Sequence, residues 1–148
     1  MLSRTARISH SFVGGETNVW TELWIKPVFA TNHTVMADPP AGSSFAFYVY
    51  TNGLVTAFDG TNRTQLAHDV LTEGEWGRFT VHGDYVAKQW DLHLNGDPIG
   101  AGLGFFDNSA ASYSEFGIRG AADERAAVVD DIRIWTPLPA VGSVCWGR

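Results

Sequence analysis

Residues that could do chemistry are few in this chain, and their spacing is informative. Retaining glycoside hydrolysis needs two carboxylates facing one cleft, about 5 to 5.5 Å apart. Glu73-Gly74-Glu75 falls in a turn with a single spacer, whereas Asp123-Glu124 and Asp130-Asp131 are adjacent pairs that point to opposite faces of an extended chain. A Gly-x-Ser-x-Gly nucleophile elbow and a His-Glu-x-x-His metal helix are both missing. The single cysteine, Cys145, excludes an internal disulfide and a cysteine-based zinc site. What remains is an aromatic and polar set: Trp20, Trp24, Tyr48 and Tyr50, with Glu22, Arg78, His82, Asp91 and His93. Aromatic faces offer flat apolar area to a sugar ring, and polar neighbours fix the orientation of its hydroxyls.

For these residues to act together, the elements that carry them must present one face. Asn52-Gly53, Asp59-Gly60 and Asn95-Gly96 punctuate short runs rich in Val, Ile, Phe, Tyr, Trp and Thr, as antiparallel hairpins require. Period-two alternation recurs from end to end, and no window shows helical recurrence. It predicts ten strands, over residues 4–13, 17–29, 43–51, 54–59, 63–68, 76–82, 88–95, 97–103, 113–119 and 126–135. Ten short strands in 148 residues predict one all-β domain, a two-sheet antiparallel β-sandwich.

Alternation also sorts side chains. Val19, Thr21, Leu23 and Ile25 take one face of their strand; Trp20, Glu22, Trp24 and Lys26 take the other. The expected core comprises Leu23, Ile25, Phe47, Phe79, Leu92, Phe116 and Ile132, with Ile134 beside them. A two-residue Asn52-Gly53 loop pairs Tyr50 with Val55 and Val49 with Thr56. The expected contact face is then Trp20, Tyr48, Tyr50, His82, Asp91 and His93, all directed away from the core.

Composition narrows the partners. With 45% hydrophobic and 18% charged residues the chain is a folded domain rather than a disordered one. Its net charge of -6 supplies no positive field for phosphates, so nucleic acid is excluded as a partner. No stretch reaches the ~18 consecutive apolar residues of a membrane helix, and the first residues lack the apolar run of a signal peptide. Asn32-His33-Thr34 and Asn62-Arg63-Thr64 match the glycosylation sequon, which matters only in a eukaryotic secretory route.

Four segments, in order, carry a family resemblance: Trp24-Ile25-Lys26-Pro27, Trp76-Gly77-Arg78-Phe79-Thr80-Val81, Trp90-Asp91-Leu92-His93-Leu94-Asn95-Gly96, and Val129-Asp130-Asp131-Ile132-Arg133-Ile134-Trp135. Together they resemble the laminin-G-like jelly roll of the concanavalin A-like lectin and glucanase superfamily. The resemblance implies a jelly-roll domain over residues 1–136 with a tail or linker over 137–148. It also implies that the first and last strands, residues 4–13 and 126–135, pair in one sheet. Hydrolytic members carry an approximate Glu-x-Asp-x-x-Glu strand, which this sequence lacks, so a non-enzymatic domain is expected. Other members hold a structural calcium ion on an Asp in a Val-Asp-x-Ile-Arg-Ile pattern. By that resemblance Asp130 is the candidate calcium ligand, with oxygens of Gly14, Gly15 and Glu16 completing the shell. The implied role is a carbohydrate-binding module of a secreted or cell-surface protein, recognising a neutral glycan or polysaccharide. A structural, adhesion or self-association domain is the alternative.

Overall fold

A computed structural model describes residues 7–11, 13–29, 38–50, 53–67, 70–119 and 127–136. All ten expected strands are present: β1 (Arg7–Ser11), β2 (Asn18–Lys26), β3 (Phe47–Val49), β4 (Val55–Asp59), β5 (Asn62–Ala67), β6 (Gly77–Asp84), β7 (Gln89–Leu94), β8 (Asp97–Gly104), β9 (Glu115–Arg119) and β10 (Val128–Trp135). They form a five-stranded sheet in the order β10-β2-β6-β7-β8, a three-stranded sheet β3-β4-β5, and the pair β1-β9, all antiparallel. The expected tail over 137–148 lies outside the described residues.

The core lies between the inner face of the five-stranded sheet and the two smaller sheets. On β6, β7 and β2 as far as Trp24 burial alternates, which places Val19, Thr21, Leu23, Phe79, Val81, Trp90, Leu92 and Leu94 inward. Val55 and Ala57 meet them from β4, and Phe47 stacks on Phe79 with centroids 5.0 Å apart. Ile25, Phe116, Ile118, Val129 and Ile134 are partly buried against this cluster. At one end Tyr85, Phe105 and Tyr113 close the core, with Tyr85 edge-on to both others. The β4-β5 turn is tied to the β8 edge: Gly60 N–H donates to the Gly104 carbonyl at 2.9 Å, and Gly104 N–H to Asp59 Oδ1 at 2.7 Å.

Three expectations are corrected. First, the terminal strands are not partners: β1 pairs with β9, and β10 pairs with β2. Alternation assigns a face to each residue but does not choose the neighbouring strand. Second, Ile132 is 40% exposed instead of buried. A β-bulge between Asp130 and Arg133, with Asp131 at φ 50°, inserts one extra residue, so Val129 and Ile134 both face inward and Ile132 does not. Third, Val49 pairs with Val55 and Tyr48 with Thr56, while Tyr50 N–H donates to the Leu54 carbonyl at 2.8 Å. The connection is one residue longer than the two-residue loop assumed. Gly53 packs against the Leu71 backbone at φ 70°, where a Cβ would stand 2.4 Å from the Leu71 carbonyl oxygen. By contrast, Asn95 (φ 55°) and Gly96 (φ 99°) both adopt positive φ between β7 and β8, the combination that an Asn-Gly hairpin turn requires.

Candidate functional site

The outer face of the five-stranded sheet gathers the aromatic and polar residues. Because β2 alternates, Trp20, Glu22 and Trp24 point away from the core at every second position. Pairing then builds rows across the strands. In the first row Trp135 lies opposite Trp20, Trp20 opposite His82, and His82 opposite Asp91. Trp20 stacks on His82 with centroids 4.3 Å apart and an interplanar angle of 18°, and on Trp135 at 6.3 Å and 13°. His82 Nδ1 is 3.0 Å from Asp91 Oδ2, and its Nε2 is 2.9 Å from Asn18 Oδ1. Asp91 Oδ1 accepts the Gly102 N–H at 2.8 Å, which carries the row to the β8 edge. Each ring is thus held by a neighbour on the adjacent strand.

The second row is polar. Arg133 stands opposite Glu22, Glu22 opposite Thr80, and Thr80 opposite His93. Thr80 Oγ1 donates to Glu22 Oε2 at 3.3 Å, and Arg78 Nε lies 3.9 Å from the same oxygen. His93 leans toward the first row, its centroid 6.3 Å from that of Trp20, and its Nδ1 is buried without a hydrogen-bond partner. In the third row Asp130, Trp24 and Arg78 are aligned. There Trp24, Trp76, Asp130 and Asp131 line a shallow cleft of about 260 Å³. Asp131 is gripped by Arg133 through Nε at 3.1 Å and Nη2 at 2.6 Å, and its own N–H donates to Asp130 Oδ1 at 2.8 Å.

Electrostatically the face is close to self-neutralised: Glu22 has Arg78, Asp131 has Arg133, and Asp91 has His82 when that imidazole is protonated. At Asp91, burial pushes the carboxyl pKa up. Hydrogen bonds from Gly102 N–H and His82, and the positive potential of His82 and His93, outweigh it and hold the group below its ordinary value.

Of the expected contact residues, Trp20, His82, Asp91 and His93 are brought together. Tyr48 and Tyr50 are not: they belong to the three-stranded sheet region, where Tyr48 meets the Phe58 ring edge-on at 6.3 Å. Alternation sorts the faces of a single strand and does not tell which sheet that strand joins. Asp130 and Glu16 are also separated. Glu16 precedes β2, with its carbonyl accepting Tyr113 N–H at 2.9 Å, whereas Asp130 faces Trp24 near the far end of that strand. The six residue steps from Asn18 to Trp24 span about 20 Å of strand at ~3.3 Å each. The two therefore do not share one ion, and no cluster of three or more metal-ligating side chains exists among the described residues. Trp135 and Trp76 complete the face beyond the expected contact residues. Trp135 was legible as the outward neighbour of Ile134; Trp76 precedes its strand, where periodicity gives no direction.

Fold and face together define a β-sandwich domain whose five-stranded sheet exposes an aromatic and polar surface. No family model and no curated protein matches the chain. A solved structure titled "Sialidase" is similar over 90% of this chain, with a TM-score of 0.67 and 7% sequence identity. The chain spans 14% of that protein's length, and the likeness shows the fold alone. Among the described residues no helix is long and apolar enough to cross a membrane.

Proposed function

We propose that this domain is a non-catalytic carbohydrate-binding module of a secreted or cell-surface protein, of the laminin-G-like, concanavalin A-like type, and that it takes a neutral glycan on the outer face of the five-stranded sheet. The observation that carries the reading is the continuous row Trp135-Trp20-His82-Asp91, flat rings held by stacking and ending in a hydrogen-bonding carboxylate. Trp135, stacked on Trp20 on one side, offers its other face to a pyranose ring, and Trp20, held between Trp135 and His82, props it; His82, Asp91 and His93 supply polar atoms along the row. The paired charges favour a neutral ligand, because an anionic sugar would have to displace Glu22, Asp131 or Asp91 from Arg78, Arg133 or His82. The likeness to a stretch of a sialidase chain is compatible with this reading through the fold alone.

Self-association is the competing use of such a surface, since Trp76 and Trp135 are 42% and 41% exposed. A glycan array followed by calorimetric titration of the selected polysaccharide, with light scattering alongside, separates the two. Binding that is lost in Trp20→Ala, with a monomeric wild type, supports the module. No binding at millimolar glycan, together with self-association abolished by Trp135→Ala, replaces it with assembly.

A further inference from the structure

The third row of the outer face differs from the other two in what it leaves unengaged. Its cleft of about 260 Å³, lined by Trp24, Trp76, Asp130 and Asp131, is smaller than the roughly 300 to 1,000 Å³ of sites that enclose a drug-sized molecule, so it suits a small head group. Among the described residues no ring stacks on Trp24 or Trp76, whereas Trp20 is covered by His82 and Trp135. Two indoles thus line one space with their π faces uncovered. Charge is unbalanced there as well. Asp131 is neutralised by Arg133, but Asp130 accepts only the Asp131 N–H and has no cationic partner among the described residues. Glu22 and Asp91, by contrast, face Arg78 and His82.

We propose that the Trp24-Trp76-Asp130 cleft binds a quaternary ammonium head group of the choline type. The negative faces of two indoles attract a cation, and the uncompensated Asp130 carboxylate adds to that attraction. Hydrogen bonding decides which cation. Three of the four carboxylate oxygens in the cleft are already engaged, Asp131 Oδ1 and Oδ2 by Arg133 and Asp130 Oδ1 by a backbone N–H. A bare ammonium, strongly hydrated, would give up more water than the one remaining oxygen replaces, and a sugar would bring several hydroxyls with little to meet them. A quaternary ammonium has no N–H to satisfy. Of the cations on this part of the face, Arg133 is spent on Asp131 and Arg78 lies against Glu22, which leaves Lys26, the next outward residue on β2, as the charge that opposes an incoming one. The site is separate from the Trp135-Trp20-His82-Asp91 row and does not depend on the glycan reading.

The test titrates tetramethylammonium and choline into the full chain and follows the indole N–H resonances of its 6 tryptophans by NMR. Two neutral controls accompany them: the alcohol in which carbon replaces the nitrogen of choline, and methyl glucoside. Both cations should move the same indole resonances, with a Kd on the order of 1 mM, and the neutral alcohol should bind at least about threefold more weakly. Trp76 is 42% exposed and lies outside the core, so Trp76→Ala keeps the fold, which circular dichroism verifies, and should cost about tenfold in affinity. Asp130→Asn, which retains the acceptor for the Asp131 N–H, should weaken both cations about threefold, and Lys26→Gln should strengthen them by a similar factor. Co-sedimentation with phosphatidylcholine vesicles separates a lipid-borne head group from a free one, and binding of either form supports the site. Equal affinity for the neutral alcohol makes the cleft a plain apolar groove, and displacement of the cation by methyl glucoside makes it a sugar subsite. Either result, no shift at roughly 100 mM tetramethylammonium, or binding undiminished in Trp76→Ala overturns the proposal and leaves the reading of the first row as it stands.

Discussion

Removing one hydroxyl should change how the domain responds to alkali. Tyr113 is 4% exposed, and its hydroxyl lies 3.3 Å from the Thr21 Oγ1, itself buried. Burial pushes the Tyr113 phenol up to about 12 from 10.0, with the Thr21 hydrogen bond opposing and the neighbouring Tyr85 adding to the rise. The native state therefore keeps a proton that the unfolded chain releases above pH 10. Stability is full below pH 10 and falls as pH rises from 10 to 12, by about 1.4 kcal/mol per pH unit for this group, or roughly 2 to 3 kcal/mol across the window. Tyr113→Phe keeps the ring and loses the proton. At neutral pH it should cost about 0.5 to 1.5 kcal/mol for the lost Thr21 hydrogen bond, yet its stability should decline less steeply above pH 10. Tyr85, also raised by burial against a weaker opposing hydrogen bond from Ser44, leaves a residual slope. Urea unfolding followed by circular dichroism at steps from pH 7 to 12 gives both numbers. If the variant loses stability as steeply as the wild type, or if all 4 tyrosines ionise together near pH 10 in an absorbance titration of the native protein, the burial argument is wrong.

Phe79 is fully buried and stacked on Phe47, so Phe79→Ala should cost about 3 to 5 kcal/mol, and an unchanged thermal midpoint would show that the sheet faces are inverted. The bulge in β10 predicts unequal neighbours: Ile134→Ala should destabilise by at least ~1 kcal/mol more than Ile132→Ala in denaturant unfolding, and equal costs would mean a regular strand. Gly53→Ala introduces both a left-handed residue and a Cβ 2.4 Å from the Leu71 carbonyl oxygen, so it should lower stability by at least ~1 to 2 kcal/mol; a neutral effect would show that this loop is free to move. Because the Asp91 pKa is held low in the native state, its contribution is present above the ordinary carboxylate pKa and lost as pH falls through the native value. Asp91→Asn should accordingly show a flatter acid limb in pH-dependent melting, and an unaltered acid limb would mean that the His82-Asp91-Gly102 contacts do not distinguish the native from the unfolded chain.

Much of the architecture is legible residue by residue because burial on β2, β6 and β7 follows the period of the pleat. That period puts Trp20, His82, Asp91 and His93 on the outer side of their strands, and they converge since β2, β6 and β7 are also sheet neighbours. Adjacency is the part that side-chain periodicity does not encode. Tyr48 alternates as cleanly as Trp20, yet β3 pairs with β4 in the smaller sheet and removes it from the face. The same gap separates Asp130 from Glu16: a family-like motif at one end of β2 and a glycine turn at the other read as compatible until β10 is set in register. Ile132 shows a different limit. Nothing in Val-Asp-Asp-Ile-Arg-Ile announces an extra residue; only Asp131 at φ 50°, with its carboxylate on Arg133, reveals where the chain is lengthened.

That extra residue has a consequence for how the domain varies through descent. Val129 and Ile134 both face the core although five positions separate them, so the two halves of β10 are in opposite phase. Trp135 would share the side of Val129 in an unbroken strand, and it stands beside Trp20 only because the phase is reversed before it. Loss of a single codon between Asp130 and Arg133 would thus restore an unbroken strand, one residue shorter, and still leave Ile134 opposite Thr21 and the indole of Trp135 opposite Trp20. Homologues one residue shorter at this point can in this way present the same surface, so a gap there would mark a lost bulge and not a reversed face.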